Sequence, residues 1–301
     1  MSTAANERTT SNRGDRDSAR IRVDRQWIGA PEGTVANPTI GLAALTLALL
    51  ATGTWGYLSG NWPAWATIAA NTVAIYVGFT VVHEAMHGVA HRDKRVSMAL
   101  GRTMAIFLML SFPLFRAAHY EHHSHTNDPN RDPDYLVANK SLWLLPLYCM
   151  AVPLEYRRHY YGRRLWRSGG ELFEAAAFDV LLVFAIAAAT FTGVLIPVLV
   201  VWIAPAVLAV LALALAFDYL PHAPYDSAER YLDTRIYPGR AANAVLLGQN
   251  YHLIHHLWTT IPWFRYRKVF AEIEPQLRER GSRIGWKIEP LPNLATFKKA
   301  A

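Results

Sequence analysis

Only one of the 301 residues is a cysteine, Cys149, and that scarcity removes whole classes of chemistry. A single thiol builds no intrachain disulfide framework, no cysteine-ligated zinc site and no iron–sulfur cluster. Glycine-rich phosphate fingerprints are missing too, so no flavin or nicotinamide site is expected, and no segment repeats. Charge is nearly absent from four long runs: residues 40–58, 64–82 and 196–217 have none, and 178–192 carries only Asp179 near its start. A bilayer core needs roughly 17–25 such residues, a length the third run reaches once residues 172–177 are added. Lys and Arg are lacking in the turns at 59–63 and 193–195, whereas residues 1–37 hold Arg8, Arg13, Arg16, Arg20, Arg22 and Arg25. Because positive loops stay inside, two hairpins are expected, with both turns outside and both termini cytoplasmic.

Residues 1–37 read as a disordered cytoplasmic tail, not a signal peptide, because no apolar region follows the charged start. Residues 38–290 read as one membrane domain and 291–301 as a C-terminal tail. The net charge of +7 needs no nucleic acid, because lipid headgroups and acidic proteins are sufficient partners for a basic membrane protein. Two further apolar runs, 103–115 and 141–153, hold 13 residues each, too few to cross. Were the first to cross, the histidines before and after it would lie on opposite sides. Both are therefore expected to be interfacial or re-entrant helices, with Trp55, Trp62, Trp65, Trp143 and Trp166 forming an interfacial belt.

The chain is rich in one ligand type. It has 12 histidines, and most stand at the inner ends of the spans. His83, His87 and His91 recur every fourth residue. His119, His122, His123 and His125 form a second cluster, His252, His255 and His256 a third, and His222 follows Asp218 at the end of the last span. A lone histidine beside a membrane is more often an interfacial hydrogen-bonding side chain than a ligand. Two copies of H-x-x-H-H change that balance, since residues i, i+3 and i+4 of a helix share a face and three imidazoles are expected to converge. Neutral imidazole suits iron, copper, zinc or nickel. Nine rings, His83, His87, His119, His122, His123, His222, His252, His255 and His256, exceed what one four-coordinate ion takes and suit two ions with four or five ligands each. His91 and His125 read as supporting or surface residues and His159 as interfacial.

His83-Glu84-Ala85-Met86-His87 also matches the H-E-x-x-H zinc signature of an intramembrane metalloprotease. That alternative leaves both H-x-x-H-H clusters unexplained, and Glu84 is more simply support for a ligand imidazole. A metal transporter or sensor would need ligands inside the spans rather than at their ends.

At these clusters the sequence resembles the membrane-bound fatty acid desaturase and hydroxylase superfamily, whose three histidine boxes surround a non-haem di-iron centre. The resemblance covers residues 61–266. Within the superfamily, the stretches 83–91, 119–134 and 217–222, and Leu-Gly-Gln-Asn-Tyr-His-Leu-Ile-His-His-Leu-Trp at 247–258, are similar to bacterial β-carotene hydroxylases of the desaturase type. That likeness implies an all-α integral membrane protein with four transmembrane helices in two hairpins, interfacial helices and a cytoplasmic histidine-rich cap, seated in a bacterial inner membrane. It implies two iron ions (Fe2+/Fe3+), O2 as co-substrate and hydroxylation of a β-carotene-type ring, with acyl-lipid desaturation or carotenoid ketolation as alternatives. The substrate is expected to be a carotenoid or membrane lipid. Oxidising an unactivated C–H bond needs a redox metal and electrons, and this chain carries no redox cofactor fingerprint, so a ferredoxin-like donor is expected. Related desaturases have an additional histidine where His222 stands and often an Asn one turn earlier. Here that position is Asp218, a candidate to bind or tune one iron. Arg157, Arg158, Arg163, Arg164 and Arg167, with Arg265, Arg267 and Lys268, read as a surface for headgroups or for the donor.

Overall fold

The structure is a computed structural model that describes residues 20–33 and 36–286. In chain order its principal helices are α1 (Pro38–Leu58), α2 (Ala64–Met86), α3 (Lys94–Phe107), α4 (Phe112–Ser124), α5 (Leu145–Gly162), α6 (Gly169–Phe191), α7 (Leu195–Tyr219), α8 (Arg240–Val245), α9 (His252–Leu257) and α10 (Tyr266–Glu279). Apart from a two-residue parallel bridge between β1 (Arg235–Ile236) and β2 (Arg283–Ile284), the described residues are helix and loop. The four helices long and apolar enough to cross a bilayer are α1, α2, α6 and α7, the four expected.

Local chemistry sets these boundaries. Asn37 caps α1 by accepting from Thr39 N at 2.9 Å, with Pro38 fixing the first helical residue. α2 overruns its uncharged run to Met86 and so carries His83 and Glu84 on the helix. It then stops because Gly88 takes φ +72°, a left-handed terminator. His87 is therefore the capping residue, and His91 lies past the break rather than on a continued helical face. α7 contains two π-helical stretches, Leu199–Ile203 and Ala214–Tyr219, and the second carries Asp218. Such wide turns gather at functional sites.

The 103–115 run is split by a corner: α3 and α4 meet at 95°. Gly101 permits this, because a Cβ there would run into the Phe112 ring. α3 and α4 do not cross together as one span, since His87 at the end of α2 touches His119 on α4 and both must lie at the same end of the bundle. The pair turns at the corner and comes back to the histidine end of the bundle. The 141–153 run becomes the longer α5, whose polar second half reaches Gly162.

Two cores result. One fills the space among α2, α4, α5 and α7. The other lies in the cap, where α10 presents Tyr266, Val269, Phe270, Ile273 and Leu277 at helical spacing. Part of the segment expected to be a disordered tail is packed onto this second core. Ile21, Val23 and Trp27 lie against it, Trp27 Nε1 donates to Glu272 at 2.7 Å, and Arg265 donates to the carbonyls of Trp27 and Gly29. Three apolar side chains among the arginines suffice to anchor it. Residues 1–19, and the C-terminal tail at 291–301, lie outside the described residues.

Candidate metal centre

All nine candidate histidines come together, in two groups. The first takes His83 and His87 from the end of α2, His119 and His123 from α4, and His255 from α9. Their Nε2 atoms lie 2.8 Å apart for His87–His119 and His123–His255, and 3.1 Å for His119–His123 and His83–His255. The second takes His122 from α4, His222, and His252 and His256 from α9, with Nε2 separations of 3.1 to 3.3 Å. The three rings of each H-x-x-H-H box were expected to converge on one point, and here they divide. Residues i and i+4 go to one group, and residue i+3 to the other. The i+3 ring points about 100° around the helix from the i+4 ring, so one short helix serves two centres. His91, His125 and His159 join neither group. His91 Nδ1 accepts from Asp93 N, His125 faces Glu121, and His159 faces Glu155.

The backs of the rings decide what their fronts can do. His122 Nδ1 lies 2.9 Å from Asp132 and 3.2 Å from Asp134. His222 Nδ1 faces Asn127 Oδ1 at 3.3 Å, and His255 Nδ1 faces the Tyr266 hydroxyl at 3.0 Å. Carboxylate and amide oxygens accept, which assigns the Nδ1 protons of His122 and His222 and directs an Nε2 lone pair into the group. Burial holds His87 at about 3, and burial together with nearby His122 holds His252 at about 3, so those rings are neutral, the form able to ligate a metal. His122 differs. Burial works to lower it, but Asp132 and Asp134 outweigh burial and carry it to about 10. That site is built to keep a positive charge, which a metal ion supplies by displacing the proton. Converging lone pairs backed by carboxylates fit a pair of cations.

Glu84 stands behind His83, away from the Nε2 side. One carboxylate oxygen accepts from Trp263 N at 3.2 Å and the other is 3.9 Å from His83 Nδ1, too far for a hydrogen bond. A protease base would need to face the metal, and this carboxylate instead ties the loop after α9 to α2. Asp218 belongs to neither histidine group. It lies on the wall shared by two spaces: a small cavity of about 20 Å³ bounded by His83, His119, His122 and His252, and an apolar cavity of about 30 Å³ beneath it. Phe79, Phe115 and Tyr156 line both spaces as well. On the polar side, an open depression of about 860 Å³ reaches His123 and His256.

Several residues at the centre escaped the sequence reading. Asn127, at φ +65°, donates to the carbonyls of Ser227 and Asp233 at 2.7 Å while its oxygen backs His222. Tyr266 backs His255, and Tyr156 donates to Asp134 at 2.7 Å. Gln249 lines the histidine cavity fully buried, with neither amide atom hydrogen-bonded. Only the H-x-x-H-H spacing flagged this neighbourhood, and these partners come from other elements. Asp132 accepts from Asn127 N and Asp134 N in its turn and also from His122. Much of the basic surface is paired internally: Arg157 with Asp179, Arg158 with Glu155, Arg163 with Glu121 and Arg167 with Glu171.

A fatty acid desaturase family model matches residues 59–287. Among curated proteins, the chain is similar to a beta-carotene ketolase of Paracoccus sp. (strain PC1), 27% identical over 211 residues that make up 68% of this chain and 75% of that one. A beta-carotene 4-ketolase of Protosiphon botryoides is 24% identical over 230 residues, 71% of this chain and 54% of the relative. A zeaxanthin 4-ketolase of Chlamydomonas reinhardtii is 36% identical over 85 residues, 26% of this chain and 19% of the relative. The chain thus spans about half or less of those last two proteins. All three relatives are ketolases by name, where the sequence reading expected a hydroxylase.

Proposed function

Because the chain belongs to the fatty acid desaturase family, a family of membrane oxidoreductases, we propose that it is an O2-dependent di-iron oxygenase that converts a ring methylene of a β-carotene-type carotenoid to a ketone. The observation that carries this reading is the placement of nine inward-facing imidazoles directly above an apolar cavity. The ketolase names of the relatives shift the product from the alcohol expected on sequence grounds to the ketone.

The nine histidines would hold two irons, five rings on one and four on the other. Iron bound there would supply, from O2 and external electrons, an oxidant that no side chain provides. The chain's own residues do the rest. Asp132, Asn127 and Tyr266 fix the rotation of His122, His222 and His255. Phe79 and Phe115 exclude water at the passage between the cavities, and Asp218, Tyr156 and Gln249 place polar groups where the ring arrives. The arginine-rich N-terminus puts the histidine end on the cytoplasmic side, within reach of a soluble donor such as a ferredoxin.

Expression in cells that accumulate β-carotene, followed by pigment chromatography and mass determination, tests the reading. A ketocarotenoid is expected. An alcohol would move the assignment to ring hydroxylation and newly unsaturated acyl lipids would move it to desaturation, while unchanged pigments and lipids would sink it.

A further inference from the structure

The corner between α3 and α4 separates two apolar spaces. Inside is the small cavity that leads past Phe79, Phe115 and Asp218 to the histidines. Outside, between the corner and α6, runs a groove of about 380 Å³ walled by Ile106, Phe112, Phe173, Phe178 and Leu181. Leu110 lines both. We propose, resting on the oxygenase reading above, that this groove binds the unreacted remainder of an elongated polyene whose ring occupies the inner cavity, with Leu110 as the side chain it passes.

Size makes the first argument. The inner cavity has only about 30 Å³ of free space, far too little for a whole carotenoid, whereas the groove has about 380 Å³. The remainder must leave the cavity, and Leu110 marks where the two spaces adjoin. Location makes the second. α6 is the least buried of the four spans at 11%, and Phe173 and Leu181 are 74% and 66% exposed, so the groove opens toward lipid. Arg102 and Glu174 close one end with a two-pronged ion pair of 2.7 and 2.8 Å, which sets that end near the headgroups.

Rigidity makes the third. Met109, at the corner, holds φ +56°, a conformation that a non-glycine residue keeps only when its surroundings enforce it. Arg157 does so: its Nη2 donates to Met109 O at 2.7 Å and its Nε to Asp179 on α6 at 3.0 Å. The residue expected at a docking surface instead locks corner and α6 together and keeps the groove's width fixed. Within lipid, entering a groove gains no hydrophobic driving force, so close packing and low entropy loss decide what binds. A stiff polyene loses less freedom there than a flexible acyl chain.

The test fills the groove without touching the cavity. Ala177→Trp places an indole on the groove face of α6, and Val183→Trp places one on the opposite, lipid-facing side, where Val183 is 67% exposed. Turnover of β-carotene and of β-ionone, which carries the ring but little tail, is compared at equal iron content. Ala177→Trp is expected to cut β-carotene turnover about tenfold or more while β-ionone stays within about twofold, and Val183→Trp to change neither. Equal losses on both substrates, or equal losses in both variants, overturn the proposal. If the wild type oxidises neither compound, the oxygenase reading fails and the groove is judged by binding. Protein purified from carotenoid-bearing membranes then retains β-carotene in wild type and Val183→Trp but not in Ala177→Trp, and equal retention in all three overturns it.

Discussion

α4 and α9 carry the same five-residue pattern yet are held in different ways. α4 is a 13-residue helix wedged into the bundle core, and the carboxylates behind its His122 follow it in the chain, at Asp132 and Asp134. α9 has six residues, and its support is borrowed: Tyr266 from α10 behind His255, Thr126 near His256, and the loop after it tied by Glu84 on α2. The two helices also exchange their odd members, since His122 of α4 joins the pair supplied by α9 and His255 of α9 joins the pair supplied by α4. Neither group can form from one helix alone. Assembly of the centre is thereby coupled to docking the cap onto the membrane bundle.

Removing the exchanged residues should produce the largest effects. His122→Ala takes one of four rings from its group, and His255→Ala takes one of five. Both are expected to abolish ketocarotenoid formation, with iron per chain falling further in His122→Ala, whereas His159→Ala should alter neither quantity. Elemental analysis of purified protein beside pigment chromatography reads both. Full iron and full activity in His255→Ala would sever the exchange and with it the two-group assignment.

The supports come next. Asp132→Asn and Tyr266→Phe leave every ring in place but unfix one each, a change of the kind that lowers metal affinity or activity by about 10–100-fold. Asp132→Asn should fall at the upper end. Its carboxylate also accepts from two backbone amides, and its charge holds His122 up at about 10. Iron affinity measured against a chelator decides the order, and a weaker effect for Asp132 than for Tyr266 would reverse the view that α4 is the locally supported helix.

What the sequence made legible divides along the same line. The four spans, the nine histidines and the re-entrant nature of the 103–115 run follow from hydropathy, spacing and parity, all read within short windows. Asp132 and Asp134 were within reach because they sit ten and twelve residues past His122. Tyr266, Asn127 and Gln249 were not, because each meets its partner through a loop path that no local pattern encodes. The splitting of the boxes was missed for another reason. Helical spacing shows that three rings share a face, but only the position of the opposing helix decides which ring crosses to the neighbouring centre. Basic residues show the same limit: Arg157, Arg158, Arg163 and Arg167 read as a cationic surface, while the carboxylates paired with them, on other turns or other helices, come from no local pattern.

A smaller effect is expected where the N-terminal segment crosses the cap. Trp27 packs on the cap core and donates to Glu272. Trp27→Ala should destabilise the cap by about 1–3 kcal/mol, seen as easier loss of iron on heating, with α4's side of the centre following rather than leading. Hydrogen exchange along α4 and α9 separates the two: simultaneous opening would show that the bundle depends on the cap as much as the reverse.

The smallest expected effect concerns the basic surface read as facing headgroups or the donor. Arg163 spends its charge on Glu121 at 3.2 Å, and Arg167 on Glu171 at 3.0 Å, so little of that run is left to steer an acidic protein. The open depression, by contrast, reaches His123 of α4 and His256 of α9 together. An electron delivered there meets one histidine of each group. Arg163→Glu with Arg164→Glu should therefore slow donor-dependent turnover only a few-fold, since exposed charges are screened over about 8 Å at physiological ionic strength. Arg230→Glu, at the depression's rim, should slow it more and flatten its salt dependence. Reaction rates with a ferredoxin at two ionic strengths measure both variants. If the Arg163 and Arg164 pair proves the more damaging, the donor enters beside α5, and α4 rather than the junction of α4 and α9 receives the electron.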